Sequence, residues 1–158
     1  MNLNLRAEYN NIQIKAGEEW ETAFRICYGL YEILVMPFGL MNAPAMFQRL
    51  INNLLYKYLN IFIIAYLNDI LIYSKIKSKY IKYIKKVLGK LKAAELLIQS
   101  EKCEFHKKEV KFLGSIINII GMRINPEKIR AVEEWPIPTN ITEIQSFLSF
   151  ANFYKCFI

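Results

Sequence analysis

Apolar positions recur along this chain at two spacings, and the switches between them mark its elements. Near the start, Leu3 and Leu5, then Ile12 and Ile14, alternate with polar residues at the strand period of two. Residues 22–26 and 31–35 are rich in β-branched and aromatic side chains. Tyr28 and Gly29 lie between them, so a hairpin is expected. The spacing then changes: apolar residues at 43, 46, 47, 50, 51, 54, 55 and 58 form a helical stripe. Asn42 is the expected N-cap, and Pro44 fits the first turn, where a missing N–H costs nothing. Two short apolar runs, 61–66 and 70–73, flank Leu67, Asn68 and Asp69, which read as a tight hairpin turn. An amphipathic helix follows. Tyr80, Ile84, Val87, Leu88, Leu91 and Ala94 face inward, and Lys79, Lys82, Lys85, Lys86 and Lys90 face outward. Residues 110–113 and 115–119 predict a second hairpin about Gly114. Asn125, Pro126 and Glu127 open a helix reaching Trp135, and a last helix carries Ile144, Phe147, Leu148 and Ala151 on one face. Hairpins mixed with helices, without a repeating strand–helix–strand crossover, predict an α+β fold: an antiparallel sheet with helices on one face.

Composition sharpens this picture in two respects. At 54% hydrophobic residues, with only 6 Gly and 5 Pro in 158, the chain can bury a sizeable core and is not a disordered segment. Lys and Arg total 21 against 14 Asp and Glu, a net charge of +7, which favours a polyanionic partner, usually nucleic acid. Much of that charge lies in residues 75–92, where a solvated helix face is the plainer alternative. The odd, widely spaced Cys27, Cys103 and Cys156 suggest reduced thiols in an intracellular protein. Cys103 and His106 supply half of a zinc ligand set, so a packed cysteine is the better reading. The apolar run 58–67 is too short to cross a bilayer, and no membrane partner is expected. Both ends look like cuts through a larger protein.

Tyr66, Leu67, Asn68 and Asp69 place an acidic residue in a rigid turn between apolar strands, which suits a metal ligand. On those four residues alone an ordinary turn is the better reading, because Asn and Asp are common turn formers. The surrounding sequence changes the balance. Residues 35–48 read V-M-P-F-G-L-M-N-A-P-A-M-F-Q. This closely resembles the V-M-P-F-G-L-x-N-A-P-x-x-F-Q segment of reverse transcriptases from gypsy-type long-terminal-repeat retrotransposons. Further matches follow in the family's order. Residues 3–9, L-N-L-R-A-E-Y, resemble L-D-L-R-x-A-Y, and residues 66–69, Y-L-N-D, resemble Y-L-D-D. Residues 101–105, E-K-C-E-F, followed by Phe112, Leu113 and Gly114, resemble the K-C-x-F and F-L-G pair. The resemblance covers essentially the whole chain.

It implies a right-hand polymerase: a palm over residues 1–118 and the start of a helical thumb over 119–158, with the fingers mostly missing. It also implies an RNA-directed DNA polymerase cut from a pol polyprotein. Such an enzyme acts on an RNA or DNA template with a primer and on deoxynucleoside triphosphates, with other polyprotein modules as possible partners. Three carboxylates hold two Mg2+ ions in the family, and Asn4, Asn68 and Asp69 occupy their positions. Asp69 is therefore the remaining metal ligand, and impaired catalysis is expected because two of the three carboxylates are amides. Leu5, Ala7, Glu8, Tyr9, Phe38, Gly39 and Gln48 match the nucleotide and template pocket. Glu8 stands where the family has a small residue, and its charge would repel a triphosphate. Phe112, Leu113 and Gly114 match the hairpin that grips the primer end. The alternative is a non-catalytic module that binds template–primer or serves as a structural subunit, with the basic helix contacting phosphates.

Overall fold

The computed structural model describes residues 1–6 and 9–154, and the chain forms two units, Met1–Phe105 and His106–Ile158. In the first unit, β1 (Asn2–Asn4) is followed by the hairpin of β2 (Phe24–Ile26) and β3 (Gly29–Tyr31). Next come α1 (Ala43–Leu55), β4 (Ile63–Tyr66), β5 (Asp69–Ile72) and α2 (Lys77–Ala93). β1, β5 and β4 form an antiparallel sheet in that order, with β5 in the middle.

The alternation of side chains along these strands decides what each face of the sheet does. Leu3 pairs with Ile70, Ile70 with Ala65, and Ile72 with Ile63, so these residues share one face. Leu3, Ile63, Ile70 and Ile72 are fully buried there. α1 covers that face with Phe47, Ile51 and Leu55, and α2 covers it with Val87 and Leu91. Ala43, Phe47, Ile51 and Leu55 recur every four residues, a single line down α1. Each large side chain so buried contributes about 1.5–3 kcal/mol. The other face carries Asn2, Asn4, Ile64, Tyr66, Asp69 and the buried Leu71, and none of these residues belongs to the core beneath the helices.

In the second unit, β6 (Glu109–Phe112), β7 (Ser115–Asn118) and β8 (Met122–Ile124) form a second antiparallel sheet. α3 (Pro126–Glu133) and α4 (Ile141–Tyr154) follow it. The Asn125 side chain accepts from the Glu127 N–H at 3.2 Å and caps α3 as its sequence predicts. At α4 the Asn140 side chain accepts from the Glu143 N–H at 2.9 Å. The Glu143 carboxylate in turn accepts from the Thr139 N–H at 2.7 Å. That bond, with further ones from the Thr139 hydroxyl and the Asn140 side-chain amide, holds the Glu143 carboxyl below the usual carboxylate range.

The predicted α+β class is observed, an antiparallel palm sheet with helices on one face. Several local expectations are not met. The β2–β3 turn falls at Cys27 and Tyr28, one residue early, because Ile26 pairs with Gly29. Residues 12–14 and 32–35 form no strand and are joined by a single bridge, Gln13 to Val35. Asn42 does not cap α1 with its side chain, because its backbone is already helical (φ −92°, ψ −3°). An N-cap needs an extended backbone to bring the side-chain oxygen over the first turn. β8 had no signal, its three residues being too few to show a period.

Candidate active site

Only Leu67 and Asn68 turn the chain between β4 and β5, since Tyr66 already pairs with Asp69. Asp69 is thus the first residue of β5, where the sequence pattern placed it in the turn. β1 runs antiparallel beside it, with Asn4 directly opposite Asp69. The Leu5 backbone N–H donates to the Asn68 carbonyl at 2.8 Å, tying β1 to the turn itself. Two stretches of sequence more than sixty residues apart thereby bring Asn4, Asn68 and Asp69 to one corner of the sheet, all half-buried. Asn4 Nδ2 donates to Asp69 Oδ1 at 2.8 Å. Two ionised carboxylates could not make this bond, because neither has a proton to give.

Gln48 braces the same turn from α1. Its side-chain oxygen accepts from the Leu67 N–H at 2.7 Å. Its amide nitrogen donates to the Ala65 carbonyl at 3.2 Å and to Asn52 Oδ1 at 2.8 Å. Leu67 holds a left-handed backbone, φ 50°, which disfavours a branched side chain by about 1–2 kcal/mol. The Gln48 bond offsets that strain by fixing the strained residue's own N–H. Sequence matching assigned Gln48 to the pocket lining and missed this brace; the signal available was the polar i, i+4 pair of Gln48 with Asn52. We expect Gln48→Leu to lower stability by about 2 kcal/mol in urea unfolding, since it leaves the Leu67 N–H without its partner.

Tyr9 packs edge-on against Phe38, ring centroids 4.9 Å apart, and against Phe47 at 6.1 Å. Phe47 is fully buried and Phe38 is exposed, so Tyr9 spans core and surface on the site's flank. Gly39 has φ 97°, a backbone that other residues adopt only under strain. Leu5 turns its side chain into the core. Ala7 and Glu8 lie outside the described residues. In the second unit Leu113 (φ 49°) and Gly114 (φ 77°) form the two-residue turn of the β6–β7 hairpin, both left-handed, with Phe112 buried beneath. The lysines of α2 are not at this site. That helix covers the apolar face of the sheet, and Asn4 and Asp69 project from the opposite one.

The donor set does not fit two divalent ions. Among the described residues no three His, Cys, Asp or Glu side chains converge, and Asp69 is the one carboxylate of this corner. A pair of Mg2+ ions is ordinarily shared by more than one carboxylate together with water and substrate phosphate oxygens, and the single carboxylate here already accepts from Asn4 Nδ2 at Oδ1. The Cys103 thiol donates to the Gln99 carbonyl at 3.2 Å.

A three-stranded antiparallel sheet, with a motif strand antiparallel beside an acidic hairpin and two helices beneath, defines the palm of a right-hand polymerase. Residues 1–117 match the family model described as reverse transcriptase (RNA-dependent DNA polymerase). The chain belongs to that family. It is 42% identical over 156 residues to the transposon Tf2-3 polyprotein of Schizosaccharomyces pombe, and 41% identical to the Tf2-7 polyprotein of the same yeast. These alignments cover 99% of this chain and only 12% of either polyprotein. Among solved structures, a foamy viral protease-reverse transcriptase in complex with double-stranded DNA superposes with a TM-score of 0.85 at 26% identity. That match covers 98% of this chain and 27% of the viral one. The same viral enzyme with an RNA/DNA hybrid gives 0.80 at 26% identity, covering 98% and 21%. The retrotransposon resemblance and the palm with partial thumb drawn from the motifs are both borne out.

Proposed function

We propose that this chain is the palm and early thumb of a retrotransposon RNA-directed DNA polymerase that has largely lost nucleotidyl transfer. The observation that carries this reading is the Asn4–Asp69 hydrogen bond of 2.8 Å, an amide where the family's chemistry calls for a second carboxylate. With Asn68 beside it, the corner's charge falls from about −3 to about −1. If the lost stabilisation of the transferring phosphoryl group reaches about 4 kcal/mol, the rate drops about a thousandfold. Divalent metal, Mg2+ in the family, would hold weakly at Asp69.

The remaining parts favour binding. Tyr9, Phe38 and Gly39 offer the floor of a nucleotide pocket, and Leu5 and Ala7 would border the triphosphate, with the Glu8 carboxylate there opposing it. Phe112, Leu113 and Gly114 would meet the primer end, with the palm running to about residue 118 and the thumb beginning at 119. Template–primer retained without chemistry is therefore the second reading, supported by the intact pocket-side residues. Because the chain spans a small part of its polyprotein relatives, ribonuclease H and integrase modules of the same polyprotein are natural partners.

Primer extension separates the readings. On an RNA template with a DNA primer and Mg2+, the chain should extend no measurable product, while fluorescence anisotropy with the hybrid reports binding. Robust Mg2+-dependent synthesis would overturn the loss of activity. Absence of both synthesis and binding would leave an inert remnant.

A further inference from the structure

The net charge of this protein is not spread over it. α2 contains seven lysines, Lys77, Lys79, Lys82, Lys85, Lys86, Lys90 and Lys92, and no acidic residue. Setting those seven aside from the chain's 21 basic residues leaves 14, against 14 Asp and Glu. The whole surplus of +7 therefore sits on one helix. All seven side chains are exposed, and none is in an ion pair among the described residues.

A helix that only needed solubility would intersperse acidic residues, which relieve repulsion between lysines one turn apart. Here Lys82–Lys86 and Lys86–Lys90 are like-charged i, i+4 pairs, each unfavourable for an isolated helix. Lys79, Lys82, Lys86 and Lys90 fall within an arc of about 80° and rise about 16 Å along the axis, about 5 Å between neighbours. That is a row of point charges at a spacing close to that of phosphates along one strand. The exposed side of α2 presents no aromatic ring, since Tyr80 and Tyr83 turn inward against the core. Contacts there would be to backbone phosphates, with no stacking and no base readout. The apolar side of the helix is already occupied, with Val87 and Leu91 buried in the core, so it cannot insert into a lipid surface.

We infer that the outer face of α2 is a second nucleic-acid surface, one that tracks the phosphates of a single strand on the side of the sheet away from Asp69. It is independent of the nucleotidyl-transfer reading, because none of its residues belongs to the Asn4–Asp69 corner. A strand held there would bind without sequence preference and with strong salt dependence.

The test is a salt titration of the full 158-residue chain with a fluorescent oligo(dT) single strand, read by anisotropy. Neutralising Lys79, Lys82, Lys86 and Lys90 together with Gln should weaken binding by about tenfold or more at low salt. It should also flatten the slope of log affinity against log salt by about 3. The corresponding four Lys→Arg changes should preserve both, and an unchanged circular dichroism melt would establish that the Gln variant is folded. Removing four charges elsewhere, at Lys15, Lys57, Lys107 and Lys108, controls for net charge. Equal losses in the two Gln sets, or no loss in the α2 set, would overturn the inference. So would capture of phosphatidylserine vesicles with no binding of the oligonucleotide.

Discussion

Returning carboxylates to both amide positions, with Asn4→Asp and Asn68→Asp together, should raise affinity for Mg2+ by about a hundredfold or more and destabilise the metal-free protein. Both effects come from one arrangement. Asn4 sits opposite Asp69 in the strand register, and Asn68 precedes Asp69 at the turn, so new charge at either position arrives beside existing charge. A gain of about 1.4 kcal/mol per restored ligand is enough for the hundredfold change, and hard cations reward anionic oxygens at least that strongly. Without metal the sign reverses. Unit charges about 4 Å apart repel by about 4 kcal/mol at an effective dielectric of about 20. The bond from Asn4 Nδ2 to Asp69 Oδ1 is lost as well. Uptake of a proton by one carboxyl limits the penalty. That carboxyl's pKa is raised in the folded state, so the penalty is present above the raised pKa and is relieved as pH falls through it. Calorimetric titration with Mg2+, and melts in EDTA against millimolar Mg2+ at several pH values, measure both halves. A double variant that binds Mg2+ no better than the parent would show that the three positions do not make a common pocket.

The second large effect is expected in the core beneath the site. Phe47→Ala should lower the stability of the first unit by about 3–5 kcal/mol in urea unfolding, and Phe47→Leu by markedly less. Phe47 is fully buried in the line of α1 residues that seals the sheet's helix face. Its ring also supports Tyr9 edge-on, with centroids 6.1 Å apart. Truncation therefore opens a cavity and removes the wall that fixes Tyr9 beside Phe38. With a typical domain only about 5–15 kcal/mol stable, a loss of this size takes a large share of the margin. Near-parental stability of the alanine variant would mean that α1 does not seat on the sheet through this residue.

Much of the fold was legible because its long elements repeat a period. α1 and α2 each show several turns of apolar spacing, and their buried residues are among those the stripe names. The two tight hairpins at 67–68 and 113–114 were legible from turn-forming residues set between apolar strands. Short elements failed for the converse reason. Three residues of β8 carry no period, and the β2–β3 turn lies one residue earlier than the sequence suggested, since Gly29 pairs with Ile26. Of the site, the motif strings named Asn4, Asn68 and Asp69 in advance, but no string contains a distance.

By itself the sequence determined the family, the α+β class and the swap of amides for carboxylates, since these are properties of residue identity and order. Only the tertiary structure decided that Asn4 bonds to Asp69 and that Gln48 is taken up by bracing Leu67. It also put the lysines of α2 on the far side of the sheet from the acidic corner. The reason is the pleat. Successive strand residues point to opposite faces, so a register fixed by pairing across more than sixty residues assigns each side chain to core or corner, and that pairing is a long-range fact no local pattern encodes.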